Sequence, residues 1–318
     1  MNRCLESVSN QDYGDFECIC INDASSDSSP NTIREWAAKD SRFSIVENEE
    51  NIGLGLTRNK GMALASGSYI LFLDSDDWLE LTTLSLLSQK ISDDRPDLIF
   101  FDHYLAYNEE DIVESRQSLL LKKLVNPDYQ YNISDYVKLF HVAWNKAYNT
   151  EFLLNTGVKY PKGSYEDFVV SYKLLSLTRN VDVLVDHLYY YYQRGGTKKY
   201  SPTKKPSSVD HFIVFSRYRE ILEFLTGSKQ KEEYPAVFTK MVNQLNAILF
   251  NRIEKGRRIE FFKSSKQIIK ELKPADLHYY GIKDKVLFYG FYYGNYFLLN
   301  LINKSYSIYN FLIQKTGH

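Results

Sequence analysis

Short apolar runs alternate with helix-like segments through the first hundred residues, and two of these runs end in acidic clusters. The run FECICIN at residues 16–22 leads into Asp23-Ala-Ser-Ser-Asp, and SYILFL at 68–73 leads into Asp74-Ser-Asp-Asp. Amphipathic segments lie between the runs, at residues 30–37, 54–66 and 80–91. This alternation predicts an α/β fold with a mostly parallel sheet flanked by helices. Ligands bind beyond the carboxyl ends of strands in such sheets, so both acidic clusters are candidate site elements.

The second cluster has the chemistry of a site for a divalent cation. Asp74, Asp76 and Asp77 fall within four residues, and their charges would repel one another without a cation between them. Mg²⁺ and Mn²⁺ prefer such oxygen ligands and often bind substrate phosphates as well. A second interpretation is that Asp76 or Asp77 caps the helix that begins near Leu79.

Three motifs in a fixed order point to a known family. NDASSD, NIGLGLTRNKG and FLDSDDW occur one strand-plus-helix step apart, and AWNKAYNTEFLLNTGVKYPKGSYEDF follows downstream. Together they resemble the GT-A fold (Rossmann-like) glycosyltransferases of family 2, in the form found in bacterial capsule, exopolysaccharide and teichoic-acid enzymes. The resemblance covers roughly residues 3–200.

The resemblance implies roles for the donor side of the site. Asp23 matches the position that contacts the nucleotide base, and Arg58 matches a basic residue that faces base or phosphate. Asp74 matches the first acid of the DxD motif near the ribose, and Asp76 the acid that ligates Mg²⁺ or Mn²⁺ on the diphosphate. Arg194, before a Gly-Gly loop, matches a position that can reach the diphosphate.

It also implies roles on the acceptor side. Asp167 matches the general base that deprotonates the acceptor hydroxyl, with Glu166 as a metal-side or orienting acid. In isolation this pair is also a typical first turn of a helix. Trp144, Asn145 and Lys146 match acceptor-side residues, although a buried Trp explains the segment equally well.

One departure from the family bears on activity. The family domain opens with a strand of the type VSIIIPVYN, whereas this chain begins within the following helix, at RCLESVSNQDY. Two explanations follow from the sequence: a truncated or misassigned start, or a protein without normal donor binding. The second makes the chain a donor-incompetent subunit that binds a partner, which is the alternative to an enzyme.

The rear of the chain differs in charge and predicts a separate helical region. Residues 229–318 contain 15 Lys and Arg against 7 Asp and Glu, although the whole chain carries a net charge of −1. We therefore predict a glycosyltransferase domain at 1–200 and a basic, aromatic helical region at 201–318. The near-neutral total argues against nucleic acid as a partner, and three cysteines without a signal peptide indicate a cytoplasmic protein.

Residues 286–303 are uncharged and rich in Tyr and Phe, after Lys283 and Lys285. Peripheral contact with the inner face of the plasma membrane, a packed helical hairpin and a homo-oligomer contact all fit this pattern. A spanning helix fits less well, because two Gly, two internal Asn and four Tyr interrupt the segment.

The combined prediction is an inverting, metal-dependent glycosyltransferase of bacterial surface-polysaccharide biosynthesis. Its donor is a nucleotide-diphosphate sugar, with UDP-sugar preferred, and its acceptor is a saccharide or lipid-linked saccharide.

Overall fold

The computed structural model describes residues 1–108, 110–115, 117–126, 128, 133–178, 180–193, 210–227, 233–275 and 281–303. The chain divides into two compact units, Met1–Ser201 and Pro202–His318. The described residues of the first unit mix strands and helices, and those of the second are helical.

The described strands of the first unit form two sheets. The strands are β1 (Cys18–Asn22), β2 (Phe43–Glu47), β3 (Tyr69–Leu71), β4 (Trp78–Leu79), β5 (Leu98–Ala106), β6 (Ile112–Glu114), β7 (Lys146–Asn149) and β8 (Val181–Tyr192). β1 and β2 pair in parallel by themselves, and the other six form a sheet in the order β3-β7-β5-β8-β4, with β6 also paired to β5. No described strand joins the two sheets.

The α/β class expected from the sequence is confirmed, but the sheet is mixed rather than mostly parallel. β1–β2 and β5–β8 are parallel, and the other four pairings are antiparallel. For β5 and β6 the reason is local, because a short turn closed by the Tyr107 N–H donating to the Asp111 carbonyl reverses the chain. Such a connection permits only antiparallel pairing.

Helices cover these sheets, and strand β5 lies in the core. The helices are α1 (Asn2–Ser9), α2 (Ser29–Lys39), α3 (Leu54–Leu64), α4 (Thr83–Asp94), α5 (Ser118–Leu124), α6 (Ile133–Tyr136), α7 (Thr150–Asn155) and α8 (Glu166–Leu177). Leu98–Phe101 of β5 are at most 1% exposed. Leu5 of α1 and Leu87 of α4 pack in the same apolar cluster as Ile99 and Phe101.

The second unit is a bundle of amphipathic helices. They are α9 (Ile213–Gly227), α10 (Tyr234–Asn251), α11 (Arg258–Glu271) and α12 (Ile282–Tyr293), with a 3₁₀ turn at Lys255–Arg257 and a further helical segment at 296–303. Fully buried apolar side chains from all four helices fill the bundle, among them Ile221, Phe238, Phe261 and Phe291.

The aromatic segment near the end of the chain is a helical hairpin instead of one long helix. Gly294 ends α12 in the left-handed conformation, with φ 81°, and the Asn295 side chain accepts a hydrogen bond from Leu298 N–H at the start of the next segment. A Cβ on Gly290 would lie 2.5 Å from Leu299, so the two arms are in close contact. None of the helices in the described parts of the chain has the length and apolarity needed to cross a membrane.

Candidate active site

Helix α3 presents one face to the segment that leads into α8. The Asn59 side chain donates to the Tyr160 carbonyl and accepts from the Tyr160 N–H, both at 2.8 Å. A Cβ on Gly55, one turn earlier, would lie 2.5 Å from the Pro161 carbonyl oxygen and 3.2 Å from Cγ of Glu166. Gly55 and Asn59 of the NIGLGLTRNKG motif therefore set the distance between α3 and the Glu166-Asp167 pair.

Arg58, on the same face of α3, joins acids from two motifs. Its Nη2 donates to Asp74 Oδ1 at 2.9 Å, and its Nη1 donates to Glu166 Oε1 at 3.0 Å and to Asp167 Oδ1. The guanidinium lies over the Tyr160 ring, 5.5 Å from its centroid, and the residue is only 6% exposed. The sequence predicts that Arg58 faces base or phosphate, and in the structure its Nη1 and Nη2 donate to three carboxylates.

The charges of this cluster are shifted by burial and by one another. Burial acts to lower the pKa of Arg58, but Asp167 and Asp74 outweigh it and raise that pKa above its ordinary value. Burial and the Asp167 carboxylate raise the pKa of Glu166 to about 7, and burial raises the pKa of Asp74, with Arg58 opposing in both cases. One cation thus faces three acids, and the surplus negative charge favours an added cation.

The acidic turn after β3 is held by a tyrosine from β8. The Tyr189 hydroxyl donates to Asp77 Oδ2 at 2.6 Å and accepts from the Asp74 N–H at 3.1 Å. The Tyr192 N–H donates to the other Asp77 oxygen. Burial raises the pKa of Asp77 to about 7 against these hydrogen bonds. Asp77 therefore anchors the turn, a role that the sequence did not reveal for it or for Tyr189.

These positions leave one or two carboxylates suited to a metal. Asp76 is partly exposed, and Asp74 has a second oxygen beyond the one bound to Arg58. Among the described residues no group of three His, Cys, Asp or Glu side chains is arranged to hold a metal ion. Mg²⁺ commonly takes only one or two carboxylates and completes its shell with water and substrate phosphates. Asp76 with Asp74 fits that mode of binding, and a cage made of protein ligands alone does not.

Asp23 organises the loop before α3. Its carboxylate accepts hydrogen bonds from the Asn48 side chain and from the backbone N–H groups of Ile52 and Gly53, at 2.8–2.9 Å. Burial acts to raise the pKa of Asp23, but these bonds lower it below its usual range. They hold Gly53 at φ 89°, a conformation that glycine adopts without strain.

The segment predicted to meet the acceptor lies in the interior. Trp144 is 2% exposed and stacks on Tyr189 at 4.3 Å, and Asn145 and Lys146 are fully buried. Lys146 Nζ donates to the Val142 carbonyl and to Asn145 Oδ1, and burial lowers its pKa to about 7. Contact of these three side chains with an acceptor does not fit this packing. Arg194 lies outside the described residues.

A scan against family models matches residues 1–153 to the model described as glycosyl transferase family 2. This match confirms, over residues 1–153, the resemblance to family 2 that the motifs indicated. The chain is 29% identical over 201 residues to the putative glycosyltransferase EpsH of Bacillus subtilis, covering 60% of this chain and 56% of EpsH. It is 27% identical over 257 residues to glycosyltransferase GlyA of Streptococcus pneumoniae, covering 76% of this chain and 35% of GlyA. The matched part of the chain spans about half the length of EpsH and about a third of GlyA.

Solved structures match the fold. The crystal structure of S. aureus TarS 1–349 in complex with UDP superposes with a TM-score of 0.70 at 19% identity, covering 96% of this chain and 87% of that chain. The GT-A architecture expected from the motifs is confirmed by this likeness.

Substitution of Gly55 tests the packing of the NIGLGLTRNKG motif against the segment that leads into α8. Gly→Ala inside a helix ordinarily stabilises it by up to about 1 kcal/mol. Gly55→Ala should instead destabilise the first unit by about 1–3 kcal/mol, because the new Cβ meets the Pro161 carbonyl. Gly61→Ala in the same helix is the control, since its Cβ meets only the end of the Ile21 side chain, at 3.2 Å. Urea unfolding followed by tryptophan fluorescence compares them; equal stability of the two variants would contradict this packing.

Proposed function

We propose that the chain carries an inverting, metal-dependent glycosyltransferase that moves a sugar from a UDP-sugar to a saccharide or lipid-linked saccharide hydroxyl. The observation that carries the proposal is the link through Arg58 between Asp74 and the Glu166-Asp167 pair. Asp74 follows a strand and is suited to bind near the diphosphate of a nucleotide sugar. Asp167 is suited to act as a general base. The Arg58 side chain contacts both carboxylates and holds them close together. The family and the UDP complex of TarS, a protein of the same fold, support the reaction class and the donor.

Asp167 is the general base in this proposal. Its side chain is 20% exposed against 11% for Glu166, so it is the more accessible member of the pair. It takes the proton from the acceptor hydroxyl while that oxygen forms a bond to the anomeric carbon. The bond to the diphosphate breaks on the opposite face, its electron pair leaves with UDP, and the configuration inverts. Arg58 keeps Asp167 oriented for this step through a charge-assisted hydrogen bond.

Asp76, with Asp74, would hold Mg²⁺ or Mn²⁺ beside the diphosphate. Bound there, the ion supplies positive charge that stabilises the leaving group. In this proposal Asp23 fixes the loop that borders the nucleotide base of the donor. Tyr189 fixes the turn that carries Asp74 and Asp76. We place the reaction in bacterial surface-polysaccharide assembly at the cytoplasmic face of the membrane, in keeping with the family resemblance of the motifs.

Calorimetric titration with UDP tests the donor site. Affinity should rise when Mn²⁺ is present, and Asp76→Asn should lower the Mn²⁺-dependent affinity at least about tenfold, because the substitution removes the charge of the ligand. Asp15→Asn, at an exposed aspartate of the same unit, is the control and should bind like the wild type.

Two outcomes would contradict the proposal in different ways. Equal UDP affinity with and without Mn²⁺ would contradict the metal assignment alone. Absence of UDP binding under every condition would favour the alternative, a donor-incompetent subunit that acts through a partner protein.

A further inference from the structure

The helical hairpin of α12 and residues 296–303 has an unusually apolar exposed face. Ile282, Tyr289 and Tyr293 lie on one side of α12, and Ile282 and Tyr293 are 84% and 71% exposed. The second arm adds Phe297, 75% exposed, and Leu301 one turn later. The opposite side of α12 packs in the bundle, so one face of the helix is buried and the other is exposed to solvent. We call the exposed set the aromatic face.

Packing among the described residues of the second unit does not bury the aromatic face. Tyr289 and Tyr293 stack on one another, with ring centroids 5.6 Å apart and planes 9° apart, and they remain exposed in that arrangement. Isolated exposed apolar residues are ordinary, but a set grouped on one hairpin indicates an interaction surface.

Cations border this face. Lys270 and Lys273 of the α11 region place Nζ 5.5 and 5.7 Å from the centroid of the Tyr292 ring, which itself contacts the Tyr293 ring at 5.3 Å. Lys266 Nζ lies beside Gly294, at the turn of the hairpin. Lys283 and Lys285 are exposed at the start of α12.

The acids of α11 and α12 each have a partner in the described structure. Glu271 pairs with Arg219 at 2.6 Å, and Glu260 pairs with Arg257 at 3.1 Å. The Asp284 carboxylate accepts a hydrogen bond from Asn243, toward α10. The five lysines beside the aromatic face therefore outnumber the three acids of α11 and α12, and a second copy of the same face would meet like charge.

We propose that the aromatic face docks on the surface of a lipid bilayer that contains anionic headgroups. Tyr and Phe rings fit the boundary between headgroups and acyl chains, where the ring is apolar and the tyrosine hydroxyl stays hydrated. The surrounding lysines pair with the negative surface, and each such cation strengthens binding about fivefold at low salt. Because the hairpin does not span the bilayer, the contact is peripheral and reversible. The proposal is independent of the transfer reaction, and its test needs no activity.

Co-sedimentation of the full chain with vesicles provides the test. Phosphatidylcholine vesicles with phosphatidylglycerol should bind the protein at low salt, and vesicles of phosphatidylcholine alone should bind it much less. Higher salt should weaken the binding without abolishing it, because the lysine contribution is screened and the aromatic contribution is not.

Two sets of variants separate the contributions. Tyr293→Ser with Phe297→Ser should weaken binding at least about tenfold at every salt concentration, since both rings are lost from the interface. Lys270→Gln, Lys273→Gln and Lys285→Gln together should weaken binding about 100-fold at low salt and little at high salt. Leu154→Ser and Lys122→Gln, at exposed positions of the first unit, are the matched controls and should bind like the wild type. Circular dichroism confirms that each variant is folded.

Three results would overturn the proposal. The intact protein could ignore phosphatidylglycerol vesicles at low salt, or the folded Tyr293/Phe297 variant could bind as well as the wild type. Light scattering could also show a stable dimer that the same variant converts to monomer, in which case the aromatic face is an interface between two copies.

Discussion

Asp167→Asn should lower the turnover number by about two to four orders of magnitude while the affinity for UDP stays nearly unchanged. The amide keeps the size of the side chain and can still contact Arg58, but it cannot accept the proton of the acceptor hydroxyl. The loss therefore falls on the chemical step and not on donor binding. Release of UDP from the UDP-sugar that the wild type uses best, with calorimetry of UDP on the same variant, measures the two quantities separately.

Two further variants sharpen this result. Asp186→Asn is the control, since Asp186 is an exposed aspartate on β8 and its substitution should leave turnover unchanged. Glu166→Gln should reduce turnover less than Asp167→Asn, because Glu166 lies deeper and packs against Gly55. If Glu166→Gln proves the more damaging change, the two acids have the opposite roles. In that case its raised pKa of about 7 would suit a base that works near neutral pH.

The local elements of the first unit could be predicted because their apolar runs are short and sharply bounded. The run FECICIN contains β1, and the run SYILFL contains β3. In the sequence, residues 181–185 and 188–193 each predict a short strand, with Asp186 and His187 between them. The structure keeps one strand there, since Asp186 is exposed and His187 Nε2 lies 3.3 Å from a buried oxygen of Asp102. A polar residue can stay within a strand where solvent or a partner side chain accommodates it, and the partner of His187 is distant in sequence.

The site was predicted in its composition but not in its connections. The acids after β3 suggested a cation among them, with Asp76 as its ligand, and did not reveal that Asp77 is bound by Tyr189 from 112 positions away. Arg58 suggested a donor contact, and its partners Glu166 and Asp167 are 108 and 109 residues away. One local signal was present: Gly55, Arg58 and Met62 share the buried face of α3, and a buried arginine requires acidic partners.

Packing also decides the role of the Trp144-Asn145-Lys146 segment. Its residue types suit either a polar acceptor site or an interior network, and the sequence left both interpretations open. Trp144 lies between the Tyr189 ring at 4.3 Å and the His103 ring at 4.9 Å, which closes it off from solvent. The segment thus supports the tyrosine that holds the acidic turn, and any effect on catalysis would act through that turn.

Removal of Arg58 should have the largest effect on stability of any single substitution in the site. Arg58→Met keeps much of the apolar volume but leaves Asp74, Glu166 and Asp167 without their shared cation. Breaking a buried ion pair by deleting one partner costs about 3–5 kcal/mol, because the remaining charges are buried and uncompensated. Arg34→Met is the matched control, since Arg34 forms an exposed pair with Glu47 at 2.6 Å. Exposed pairs of this kind contribute at most about 1 kcal/mol.

The cost of Arg58→Met should depend on pH in a definite direction. Glu166 has a folded pKa of about 7, above the ordinary value of 4.5, so the folded state holds more protons than the unfolded state between those values. The unfolding free energy therefore falls as pH rises through that window. Without Arg58, which opposes the rise for both Glu166 and Asp74, the folded pKa values should move higher and the fall should steepen. The unfolding free energy that Arg58→Met loses relative to the wild type should thus be larger at pH 8 than at pH 5.

Urea unfolding in the presence of EDTA at these two pH values measures the deficit without interference from bound metal. Trp36, Trp78 and Trp144 are the three tryptophans of the chain, and all lie in the first unit, so their fluorescence reports unfolding of the unit that contains the site. Equal deficits for Arg58→Met and Arg34→Met at both pH values would contradict the coupling. Arg58 would then be a replaceable cation, and the acids of the two motifs would be held in place by the packing of α3 against Tyr160 alone.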